Sequence, residues 1–138
     1  MFDELKKYKN SNHFFFEPGS NLVEVSMDVP NLPGVYLIYR LAKGKVVLVY
    51  IGKSGTVEQN GKFKNQLLRK RLNNKQDGVK RQQFFDQKMN EENIDALDIY
   101  WFVTYDEEQK DLPAFVEGLI MQRYFEAHGK LPPWNKNF

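Results

Sequence analysis

The chain has no cysteine and two histidines, His13 and His128, in 138 residues. Without cysteine there is no disulfide, no thiolate metal site and no cysteine nucleophile. Two histidines do not make a His-based zinc cluster. Long apolar runs are also missing. Near the start the longest is Phe14-Phe15-Phe16, too short for a secretory leader or a membrane span. No repeat, low-complexity tract or Pro/Gly/Ser linker divides the chain, and no phosphate-cradling glycine loop of the P-loop type is present. These absences leave one domain of ordinary size, expected to be soluble and cytoplasmic, with no membrane partner. Such a domain can bury roughly two-thirds of its chain surface without staples. Aromatics are plentiful, with eleven Phe, seven Tyr and two Trp.

The net charge of +2 conceals a segregation. Residues 40–81 hold twelve Lys/Arg against Glu58 and Asp77, whereas residues 86–111 hold nine acids against two lysines. So basic a block in a near-neutral chain suits a polyanion, most simply nucleic-acid phosphate. The other reading is a solvated helical face whose counter-charges lie on a neighbour. Under the first, Lys62, Lys64, Arg69, Lys70, Lys75, Lys80 and Arg81 would meet the nucleic acid.

Residues 1–16 are mixed and aromatic, and a short helix there is one reading. Residues 17–21 form a turn. Pro33-Gly34 leads into a strand over 35–40, and 45–53 is a second strand across a hairpin. Both are poor in polar residues, so both faces should be covered. Residues 62–74 read as a basic helix with Phe63, Leu67, Leu68, Arg71 and Leu72 near one stripe. A second helix is expected over 79–92 and a third strand over 97–105. A last helix follows Asp111, as N-cap, and stops at His128-Gly129. The aromatics of 132–138 suggest that this segment docks on the body.

Three features carry chemistry. Tyr36 and Tyr50 lie on adjacent strands, and alternation puts Tyr50 and Gly52 on the face of Val46 and Leu48. Gly52 permits another group to approach closely. A phenol has a pKa near 10, so a tyrosine base needs cations beside it; two core tyrosines with hydroxyls at the rim are the plainer reading. Arg71 follows Leu67 and Leu68 by four and three residues, emerges on the apolar side of its helix, and can fork onto a phosphate in a cleft. A snorkelling or carboxylate-paired arginine is the alternative. Glu117 lies on an apolar helix beneath Ile120, Met121 and Tyr124. A carboxylate there needs either an arginine or a hard cation such as Mg²⁺ or Mn²⁺.

Together these residues resemble the GIY-YIG nuclease family. The half-motifs stand as Gly34-Val35-Tyr36 and Tyr50-Ile51-Gly52, the latter continued by Lys53-Ser54. Leu68-Arg69-Lys70-Arg71-Leu72 is similar to the family's arginine helix. Glu117-Gly118-Leu119-Ile120 with Pro133-Trp134-Asn135 is similar to its glutamate helix and closing segment. The likeness spans about residues 33–135. It implies an α/β (α+β) fold: a small three-stranded, mainly antiparallel sheet flanked by helices in residues 33–138, with residues 1–32 an extension packed on it. It also implies hydrolysis of DNA phosphodiesters with one Mg²⁺ or Mn²⁺. Glu117 would hold the metal, Tyr36 would be the leading general base, directly or through water, Tyr50 would orient water, and Arg71 would stabilise phosphate charge. Asn135 would brace the site, and Lys53 would help lower a tyrosine pKa. The sequence departs from the family in an insertion within the eighteen residues between Gly52 and Arg71, in Lys75 where a histidine is frequent, and in Trp134 in place of tyrosine. With no separate recognition domain, specificity would come from the insertion, a homodimer or a partner protein. The alternative function is a nucleic-acid-binding module of this fold that cleaves little.

Overall fold

The computed structural model describes residues 2–64 and 67–138. A 3₁₀ turn at Asp3–Leu5 precedes β1 (Ser11–Phe16) and the short α1 (Leu22–Val25). The hairpin of β2 (Gly34–Ala42) and β3 (Lys45–Ser54) follows. Two small hairpins, β4 (Thr56–Val57) with β5 (Phe63–Lys64) and β6 (Lys75–Gln76) with β7 (Val79–Lys80), flank α2 (Leu68–Leu72). Then come α3 (Arg81–Glu91), β8 (Ala96–Val103) and α4 (Pro113–His128). No helix among the described residues is long and apolar enough to cross a membrane.

The fold is α+β around an antiparallel sheet of four strands, in the order β1-β8-β2-β3, rather than three. The extra strand is β1, so residues 11–16 of the N-terminal segment are part of the sheet. Its sequence, Ser-Asn-His-Phe-Phe-Phe, lacks the alternation that announces a strand. It is held by pairing with β8 and by His13, whose Nδ1 lies 2.7 Å from Asp98 Oδ1 and whose ring stacks on Tyr100.

Both faces of the sheet are covered, as the apolar strands require. On one, Tyr36, Ile38, Ile99 and Trp101 pack with Leu68 and Leu72 of α2, Phe84 and Phe85 of α3, and Trp134. On the other, Val35, Leu37, Ile51 and Phe102 pack with Val116, Ile120 and Met121 of α4, and with Leu5 and Tyr8. The β2–β3 register passes from Ile38↔Tyr50 to Tyr39↔Leu48, leaving Val49 as an extra residue. This bulge breaks the expected alternation: Leu48 packs with the α4 face, whereas Tyr50 packs with the α2–α3 face.

Other local expectations shift for clear reasons. The basic helix is five residues long, because Phe63 and Lys64 pair with Val57 and Thr56; residues 65 and 66 of the expected helix lie outside the described residues. Asp111 does not cap α4. It accepts the Tyr8 hydroxyl at 2.6 Å and pairs with Lys7, while Pro113 opens the helix after Leu112. The helix ends as expected, with Gly129 left-handed at φ 68°.

Two glycines are steric necessities. A Cβ at Gly34 would lie 2.1 Å from the Phe102 carbonyl oxygen, and one at Gly52 would lie 2.4 Å from Tyr36 Cζ. The Tyr36 ring thus lies across the strand at Gly52, and being buried it has nowhere to retreat. Gly52→Ala is expected to cost about 2–3 kcal/mol, as overpacking does, read as a lower urea midpoint at unchanged m-value.

Candidate active site

The edge of β3 organises the site. Next to the bulge, segment 132–138 closes part of that edge: Trp134 N–H donates to the Val49 carbonyl at 2.8 Å. The Asn135 side chain pairs with both backbone groups of Ile51, accepting N–H and donating to C=O, each at 3.0 Å. Asn135 thus ties this segment to β3, and Trp134 is buried against Phe84 and Phe85. Beyond this covered stretch a cleft of about 410 Å³ opens, lined by Tyr50, Lys53, Ser54, Gly55, Thr56, Arg71 and Glu117. Three elements meet there: β3 brings Tyr50 and Lys53, α2 brings Arg71, and α4 brings Glu117.

Glu117 is half-buried and has neither an ion pair nor a hydrogen bond among the described residues. The other charged residue in the middle of α4, Arg123, pairs with Glu4 and Glu126 instead. Among the described residues the internal Glu–Arg pair of the alternative reading is not formed. Burial drives the Glu117 carboxyl up to about 7, against the pull of Lys53 and Arg71. Arg71 is likewise half-buried and lacks a carboxylate partner among the described residues.

Tyr50 lines the cleft, but Tyr36 does not. Tyr36 is 0% exposed, so of the two routes expected for it as general base, directly or through water, burial leaves the indirect one. Its hydroxyl accepts a hydrogen bond from Arg81 Nη2 at 3.0 Å, and its ring centroid lies 6.0 Å from that of Tyr50. Burial raises the Tyr50 phenol above its ordinary pKa; Tyr36 adds to this, and Arg81 and Arg71 oppose it. Lys53 bears on Glu117 rather than on Tyr50.

Arg81 is the main correction among the basic residues. It is 0% exposed, so its side chain lies in the core and not on the basic surface with the lysines. Its guanidinium lies 5.5 Å from the Tyr36 and Tyr50 ring centroids and 5.8 Å from that of Phe85. Its Nε and Nη1 have no partner among the described residues. The signal was present: Phe84 and Phe85 follow it by three and four residues, the same spacing that marked Arg71 as inward-facing. Lys62, Lys64, Arg69, Lys70, Lys75 and Lys80 are all exposed, on α2 and the two small hairpins or beside them.

No protein-family model, curated protein or solved structure matches the chain.

Proposed function

We propose that the protein is a nuclease that hydrolyses DNA phosphodiester bonds with one divalent metal ion, on a fold like that of the GIY-YIG family. The observation that carries this reading is the unpaired Glu117 carboxylate sharing one cleft with Arg71, Lys53 and Tyr50. Among the described residues no three His, Cys, Asp or Glu gather into a metal cluster, so Glu117 would be the single side-chain ligand of the ion. One carboxylate with water and phosphate oxygens is a usual way to hold Mg²⁺. When bound, Mg²⁺ or Mn²⁺ would supply Lewis-acid polarisation of a phosphoryl oxygen.

The chain's own groups do the rest. Arg71 donates to the non-bridging phosphate oxygens and offsets the charge that grows on them. Lys53 adds charge at the same wall. In the fraction of molecules where it is deprotonated, the Tyr50 phenolate accepts a hydrogen bond from the attacking water and takes its proton as the water oxygen bonds to phosphorus. The opposite P–O ester bond breaks, and the departing alkoxide takes a proton from solvent. Tyr36 and Arg81 stand behind Tyr50, one fixing its ring and the other favouring its anion. The β4–β5 hairpin, a second copy of the chain or a partner protein would supply specificity.

Because burial keeps the Tyr50 phenol protonated at neutral pH, log rate is expected to rise with pH through the alkaline range with unit slope. In Tyr50→Phe that slope disappears and the rate falls by about 10² or more. A pH–rate profile of both proteins checks this. The reading as a whole is tested by incubating wild-type protein with duplex, single-stranded and branched DNA, and with RNA, in Mg²⁺, Mn²⁺ or EDTA. DNA cleavage in either metal and none in EDTA is expected. Salt-sensitive binding with no cleavage in either metal would favour the binding module.

A further inference from the structure

A second cavity adjoins the cleft. It measures about 260 Å³ and is lined by Tyr50, Arg71, Lys75, Gln76, Trp134, Asn135, Lys136 and Asn137, with Asp77 at the same wall. Tyr50 and Arg71 line both cavities, so Arg71 stands between them. Three cations face this pocket against one carboxylate, Asp77, whose Oδ2 holds Lys136 Nζ at 3.5 Å.

Gln76 is the second observation. It is 6% exposed, and neither its amide nitrogen nor its amide oxygen has a hydrogen-bond partner among the described residues. A buried amide is expensive to leave unpaired. It sits on the two-residue strand β6.

We propose that this pocket is a second phosphate subsite, which takes the phosphodiester next to the one held between Glu117 and Arg71. This rests on the nuclease reading above. Arg71 spans two successive phosphates, Lys75 and Lys136 neutralise the second, and Gln76 and Asn137 hydrogen-bond its ester oxygens and sugar. The arrangement sets the direction of the strand: it runs from the β3 edge across Arg71 toward segment 132–138. None of these contacts requires a particular base.

The test is DNA binding in EDTA as a function of salt, by fluorescence anisotropy with a short duplex and its single strand. Lys75→Gln/Lys136→Gln, both exposed, should fold normally, bind about tenfold more weakly at low salt, and lower the slope of log Kd against log salt by about one. Gln76→Leu should weaken binding several-fold with the wild-type slope, since a neutral contact releases no counterion. Lys43→Gln, at the far turn of the β2–β3 hairpin, should match wild type. A steep wild-type slope that the double variant leaves unchanged overturns the subsite and leaves the nuclease reading standing. A flat wild-type slope also overturns the subsite, and DNA cleavage in Mg²⁺ or Mn²⁺ against EDTA then decides the nuclease reading separately. Unchanged affinity in Gln76→Leu removes Gln76 from the subsite.

Discussion

Glu117→Gln should abolish metal-dependent cleavage while leaving DNA affinity in EDTA intact. A Lewis acid beside a phosphoryl group supplies several kcal/mol of transition-state stabilisation. A loss of about 4 kcal/mol corresponds to about 10³ in rate. Glutamine keeps the shape of the side chain and removes the anionic oxygen that a hard cation prefers. The same variant should also be more stable, and the direction follows from the carboxyl's raised pKa. Folding lifts it from 4.5 to about 7, so the folded state carries a desolvation penalty when the group is ionised. That penalty is full above pH 7, shrinks as pH falls through 7, and is gone below 4.5. Its size is on the order of 2–3 kcal/mol. Urea unfolding at pH 8 should therefore show Glu117→Gln ahead of wild type by about that amount, with the two converging at acid pH. A variant less stable at pH 8 would mean that the carboxylate has a compensating internal partner.

Arg71→Met should lower kcat by about 10²–10³, the usual cost of removing a preorganised donor to developing oxyanion charge. Arg71→Lys should recover only part of this, because an ammonium keeps the charge but loses the planar fork. The fold should tolerate both changes. Among the described residues Arg71 has no carboxylate partner to strand, and Leu68 and Leu72 hold α2 in the core without it. Single-turnover kinetics against urea stability separates the two effects. Equal losses in rate and stability would make Arg71 a structural residue. A small rate loss with intact stability would move the phosphate contact elsewhere on the basic surface.

The strands carrying the two tyrosines were legible because their residues are apolar on both sides, and the final helix because its start and its glycine stop are marked. Glu117 was legible as a carboxylate without a polar face, and Arg71 from its spacing to two leucines. What escaped depends on tertiary contacts. Strand β1 has no alternation of its own and exists through its pairing with β8. The bulge at Val49 has no local signature, yet it decides that Tyr50 joins the α2–α3 face. That Tyr36 is covered while Tyr50 lines the cleft was not legible, because a strand pattern does not tell which phenol a helix will cover. Arg81 ended a run of basic residues and was read as the last of them, although its spacing to Phe84 and Phe85 already pointed inward.

Mn²⁺ binding by wild type and Glu117→Gln, followed by paramagnetic resonance at pH 6, 7 and 8, tests the central claim most directly. A carboxyl that titrates near 7 must lose its proton to hold the ion. The account therefore predicts one Mn²⁺ site in wild type, weakening steeply between pH 8 and pH 6, and none in the variant. Equal Mn²⁺ affinity in the two proteins, or binding indifferent to pH over that range, would contradict it.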